Sequence, residues 1–127
     1  MIYCADTTFL IDLFKGDEGA VNLADKINGF EVITTPINIF EFMMGAYLSN
    51  ESEIHKKFLQ PFISTEIRNL EAEKAAEIQA TLFKKGIPID KEDCLVASSA
   101  LLEGCSRIIT RNKRHFDKIP GIKVISY

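Results

Sequence analysis

The sequence predicts an α/β sandwich built around a mainly parallel sheet of four to five strands. Three observations carry that prediction. Strand-like and helix-like segments alternate along the whole chain, the pattern that strand–helix–strand crossovers produce. The opening run, IYCA, is continuously apolar and too brief for a helix, as a strand covered on both faces would be. No linker, repeat or low-complexity stretch interrupts the 127 residues, so residues 1–127 read as a single domain of a size that supports one core.

Each element has its own justification. After the central strand IYCA, TTFLIDLFKG reads as a short helix, with Thr7 or Thr8 as its cap and Gly16 at its end. EGAVNLADKING is a second helix, stopped by Gly29. FEVITT is a strand, and Pro36 suits the first turn of the helix that follows. PINIFEFMMGAYLS and SEIHKKFLQPF form a helical pair broken near Asn50, and ISTEIRNL is a short edge strand. NLEAEKAAEIQATLFKKG has acids in its first turn, Lys84 and Lys85 in its last and Gly86 beyond, all matching the helix dipole. A further helix runs from Asp90 to Gly104, and CSRIIT, a single turn HFDKI and a final strand IKVIS close the chain.

Composition bounds the function. With 46% hydrophobic and 26% charged residues, the chain has the make-up of a soluble globular protein, and no apolar run is long enough to span a membrane. MIYCADTTF carries neither a basic stretch nor a cleavage site, so a cytoplasmic location without a signal peptide is expected. Cys4, Cys94 and Cys105 are odd in number and lack C-x-x-C spacing, which suits reduced thiols. A net charge of −3 argues against wrapping nucleic acid over the whole surface. Charge reverses locally, however, between Arg107 and Lys118, where five cations face only Asp117.

Four polar residues stand where the surrounding sequence is apolar or where an element ends: Asp6, Glu41, Asp93 and Asn112. Desolvating an unpaired carboxylate costs several kcal/mol, so carboxylates in such places call for a partner. Each has a structural alternative. Asp6 could cap a helix, and Asp90-Lys91-Glu92-Asp93 has the form of a capping box. Asn112 suits a turn. Glu41 shares a helical stripe with Asn38 and Gly45, enclosed by Ile39, Phe40, Phe42 and Met43. His55, among Glu53, Lys56 and Lys57, reads as solvated, and His115 belongs to the basic turn.

The set is more specific than its members. The carboxyl ends of parallel strands form the crevice where ligands bind, and all four positions can converge at that edge. Carboxylates brought that close repel unless a cation neutralises them. Mg²⁺ or Mn²⁺ suits oxygen ligands and bridges protein carboxylates to phosphate oxygens, while Arg111, Lys113 and Arg114 in the nearby basic turn would grip a nucleic-acid backbone.

On these residues the chain resembles the PIN-domain nucleases, specifically the VapC-type toxins of toxin–antitoxin pairs. ADTTFLIDLFKG resembles the family's opening strand and first acid, INIFEFMMGA the helix with its Glu, DKEDCLVASSALLEG the segment with its third acid, and IITRNKRHFDKIPGIKV its closing strand–turn–strand. The resemblance implies a three-layer α/β/α PIN-like sandwich and a metal-dependent endoribonuclease. Its catalytic positions map onto Asp6, Glu41 and Asp93, with the fourth, often Asp, falling on Asn112. Neutral Asn112 points to one metal per site, carried by Asp6 and Asp93 and supported by Glu41, with Thr7 and Thr8 holding Asp6 from behind. A homodimer and a VapB-like antitoxin partner are also implied. Two other readings compete: a PIN-like module that binds RNA or protein without cutting, and a PIN nuclease of RNA processing that is not a toxin. A flavodoxin-like phosphoacceptor is disfavoured, because only Asp6 follows the first strand.

Overall fold

The computed structural model describes all 127 residues. In chain order the elements are β1 (Ile2–Ala5), α1 (Thr7–Phe14), α2 (Glu18–Lys26), β2 (Glu31–Thr34), α3 (Pro36–Leu48), α4 (Ser52–Leu59), β3 (Ile63–Ser64), α5 (Asn69–Lys84), α6 (Lys91–Leu102), β4 (Arg107–Ile109), α7 (Lys113–Phe116) and β5 (Lys123–Ile125). The strands form one sheet in the order β3-β2-β1-β4-β5, and every pairing is parallel. The predicted α/β class and parallel sheet are therefore observed.

The sheet is buried on both faces because adjacent residues of each strand point opposite ways. Cys4, Ile33 and Ile108 lie side by side in register and pack beneath α5, α6 and α7 with Leu82, Val96 and Phe116. Ala5 and Ile109, also in register, face the other layer with Phe9, Leu10 and Phe42. The sheet thus separates two core layers. Phe116 is fully buried and anchors the short α7; truncating it to Ala should cost about 3–5 kcal/mol and release that turn. All three cysteines are free and buried, and burial beside Asp93 and Asp90 pushes the Cys94 thiol up to about 11.

The strand order creates a switch point. From β1 the chain crosses toward β2 on one side, and from β4 it crosses to β5 on the other. Connections diverge there and leave a crevice above the carboxyl ends of two adjacent strands, the usual ligand position in open α/β sheets. Asp6 follows β1 and Thr110 follows β4, with the Asp6 amide donating to the Ile109 carbonyl at 3.0 Å.

Several local expectations are corrected. The cap position of α1 is Asp6 itself, without a side-chain cap; the Thr7 and Thr8 hydroxyls turn to other side chains instead. Asp90 occupies the cap position of α6, but makes no capping bond, so the capping box is not formed. His55 is buried, not solvated: its ring stacks on Phe14 at 4.1 Å and its Nδ1 lies 2.8 Å from the Glu51 carbonyl. Asn50 has φ of +57°, which explains the break between α3 and α4. The buried stripe of α3 is Asn38, Phe42 and Ala46, so Glu41 is exposed and nothing packs beside Gly45. Of the large apolar side chains in the helices, Met44, Tyr47 and Phe83 are exposed, whereas Phe58 and Phe62 pack against the core.

Candidate active site

The cleft above the switch point is about 690 Å³ and is lined by five carboxylates: Asp6, Glu41, Asp90, Glu92 and Asp93. Asn112, His115, Thr7 and Thr8 complete its polar wall. Asp6, Glu41, Asp93 and Asn112 are thus all brought to one concavity, although only Asp6 and Asp93 are substantially withdrawn from solvent.

Asp6 is held by neutral donors. Its Oδ1 accepts from the Asn38 amide at 3.0 Å and its Oδ2 from the Thr110 hydroxyl at 2.7 Å. Asn38 is itself locked, since its Oδ1 accepts from the Thr35 hydroxyl at 2.6 Å and its amide also reaches the Thr7 hydroxyl at 3.0 Å. Thr8 lies 3.2 Å from Thr110, and Thr7 donates to Glu41 at 2.6 Å. These bonds fix the Asp6 carboxylate without cancelling its charge, and a carboxylate has enough lone pairs left to meet a cation.

Asp93 enters from the first turn of α6, where the helix N-terminus favours negative charge. Its Oδ2 lies 3.2 Å from His115 Nδ1. Burial pushes its pKa up to about 6; the His115 imidazole works against that, while the charges of Asp6 and Asp90 add to it. No Lys or Arg side chain lines the cleft. With a pKa near 6, Asp93 keeps a larger protonated fraction at neutral pH than an ordinary aspartate, and strongly shifted acids in clefts mark functional sites.

The donor set fits a hard divalent cation and excludes softer sites. Every acid presents oxygen, and the thiols nearest them in sequence, Cys4 and Cys94, are buried and have their pKa values raised by burial. No three His, Cys, Asp or Glu side chains are drawn together as a ready cage. A cation taking few protein oxygens and keeping waters, as Mg²⁺ does, matches this looser arrangement.

The basic turn divides into two. Arg111 leaves the cleft to pair with Asp12 at 2.8 Å and Asp17 at 3.5 Å, over the Tyr127 ring. Arg114 faces a smaller concavity that adjoins Asp93, and Lys113 borders neither. Sequence reasoning gave no role to Thr35, Asn38 or Thr110 and little to His115. One signal was available: β1, β2 and β4 each end in buried polar residues, Asp6, Thr34-Thr35 and Thr110.

Residues 3–122 match the PIN domain family. The chain is 27% identical over 126 residues to the tRNA(fMet)-specific endonuclease VapC of Salmonella typhimurium, covering 96% of this chain and 95% of that protein. Among solved structures it resembles a toxin–antitoxin complex from Klebsiella pneumoniae (TM-score 0.82, 25% identity, 97% of this chain and 95% of that one). It also resembles VapBC2 from Rickettsia felis bound to a promoter DNA fragment (TM-score 0.85, 22% identity, 100% and 99%). DNA-bound VapBC from Salmonella typhimurium is similar at TM-score 0.84 and 24% identity, over 99% and 98% of the two chains. A match across nearly the whole length, on a fold whose acids meet at the sheet's switch point, places this chain in the PIN domain family.

Proposed function

We propose that the chain is a Mg²⁺- or Mn²⁺-dependent endoribonuclease that acts in the cytoplasm as the toxin of a VapBC-type pair. The observation that carries this reading is the pairing of Asp6 and Asp93 across a cleft of five carboxylates that no Lys or Arg neutralises. Asp6 and Asp93 would hold one cation, with Glu41 and Asn112 at the rim. Such an ion, when bound, acidifies water and stabilises the charge that develops on a phosphodiester's oxygens. The chain's own residues do the rest. Asn38 and Thr110 keep Asp6 in one orientation, so it needs no rearrangement to meet the ion. Thr7 fixes Glu41 at the cleft wall. His115 holds one oxygen of Asp93, Oδ2, at 3.2 Å.

The toxin role draws support from the VapC relative and the VapBC complexes. Phe40, Met44, Tyr47 and Leu48, with half-buried Met43 between them, form an apolar face of α3, of the kind an amphipathic antitoxin segment covers, and Phe83 on α5 offers apolar surface for a second copy of the chain. The test is cleavage of RNA by purified protein with Mn²⁺. Initiator tRNA is the first substrate to try, since the Salmonella relative is specific for it. Loss of cleavage in Asp6→Asn and in Asp93→Asn is expected. Cleavage that survived both would sink the mechanism. Growth arrest on expression, relieved by the product of a neighbouring small gene, separates a toxin from an RNA-processing nuclease.

A further inference from the structure

The acidic cleft has a neighbour of opposite character. A concavity of about 190 Å³ shares Asp90, Asp93 and His115 with it, so the two adjoin at the His115–Asp93 contact. Its outer side carries Arg114 and Lys118, and neither forms an ion pair anywhere in the molecule. Its inner side is the Ile87-Pro88-Ile89 segment, which leads into α6. Ile87 and Ile89 are half-buried against the core beneath, and the Ile89 carbonyl accepts from Gln79 at 3.0 Å, so this wall is held in place. Arg111, by contrast, is already neutralised by Asp12 and Asp17 on the far side of the turn.

We propose that this concavity is the subsite for the nucleotide next to the scissile phosphate: Arg114 and Lys118 bind the adjacent phosphate, and the Ile87–Ile89 wall takes the apolar face of the sugar or base. The assignment rests on the nuclease reading of the acidic cleft and adds to it the route of the strand. A phosphodiester chain cannot lie along five carboxylates without cations close by. Two free cations facing the same small space, one shared wall away from Asp93, supply them. Arg offers a planar donor fork and Lys a mobile point charge, a pairing that tolerates varied backbone geometry and reads no sequence. The strand therefore runs from the acidic cleft over His115 toward Lys118, and not toward Arg111.

The test uses the Arg114→Ala/Lys118→Ala double variant and a short fluorescein-labelled single-stranded RNA. In chelator, without cleavage, its affinity should fall about tenfold, and the slope of log affinity against log salt should shrink by about 1.4, two contacts at the single-strand value. With Mn²⁺, KM should rise about as much while kcat stays within about twofold, as loss of uniform binding requires. RNA carrying one uncharged methylphosphonate beside the cleaved bond should bind wild-type protein more weakly, and the double variant should lose little further. Lys123→Ala, on β5 and lining neither concavity, serves as the charge control and should leave KM unchanged. Wild-type affinity and salt slope in the double variant would overturn the subsite. RNA binding lost in the double variant by a wild-type protein that cuts no RNA would keep the subsite and remove the nuclease reading.

Discussion

Glu71 and Asp93 are both carboxylates drawn out of solvent, and they are treated in opposite ways. Glu71, on α5, is 2% exposed and accepts three bonds from Arg68, from its backbone amide at 2.8 Å and from Nε and Nη2 at 3.0 Å each. Those bonds hold its pKa down to about 2. Asp93, 17% exposed, has His115 as its only ion-pair partner, and burial raises it to about 6. Burial of an acid is therefore no mark of a site. The informative property is a buried acid whose charge the protein has left uncompensated, since that charge is available to an ion from solution.

The strongest attempt to break this contrast is to neutralise each acid in turn. Asp93→Asn should lower RNA cleavage by at least about a hundredfold, as loss of a metal-orienting oxygen does. Glu71→Gln should keep the specific activity of whatever fraction remains folded. Single-turnover cleavage with Mn²⁺ reads both. If Glu71→Gln lost activity with an unchanged melting temperature, the division into structural and functional acids would be wrong.

Stability sharpens the same contrast with opposite signs. Glu71 has a folded pKa of about 2 against an unfolded value near ~4.3, so its contribution is complete above about pH 4.3 and disappears as pH falls toward 2. Glu71→Gln should melt several degrees lower at pH 7 and converge on wild type near pH 2. For Asp93 the folded value of about 6 lies above an unfolded value near ~3.9, so the wild type loses stability as pH rises through that window. Metal-free Asp93→Asn should then be more stable than wild type by about 1 kcal/mol at pH 8 and equal to it near pH 3. Added Mn²⁺ should reverse the order at pH 8, because only wild type gains from binding. Thermal denaturation across pH, with and without metal, checks all of this.

The contrast also explains what was legible beforehand. Strand–helix alternation is a property of local sequence, so the element order and the parallel sheet could be read directly. Asp6 and Asp93 stood out because Ala5 and Cys94-Leu95-Val96 beside them are apolar. Glu71 did not, since its neighbours Glu73 and Lys74 imply an exposed helix, and its burial depends on α5 packing against α6. Glu41 misled in the opposite direction. Apolar neighbours suggested burial, but Phe40 and Met44 are exposed, and only the stripe of Asn38, Phe42 and Ala46 faces inward. The pairing of Asp6 with Asn38 and Thr110 spans 32 and 104 positions of sequence, and periodicity carries no information at that range.

The smallest expected effect concerns Asn112. Its backbone N–H donates to the Thr110 hydroxyl at 3.0 Å, the same hydroxyl that binds Asp6 at 2.7 Å, so position 112 is fixed one contact away from the central acid. The side chain itself is exposed at the cleft rim, where solvent screens its field. Asn112→Asp would add a sixth carboxylate without removing any bond the fold depends on. Mn²⁺ affinity by calorimetry should rise only about two- to fivefold at one ion per chain, as a screened charge at the rim would give. A second equivalent of Mn²⁺ in Asn112→Asp would show that this one neutral side chain sets the metal count. No change in affinity at low salt would place position 112 outside the field of the cleft, leaving the metal to Asp6 and Asp93.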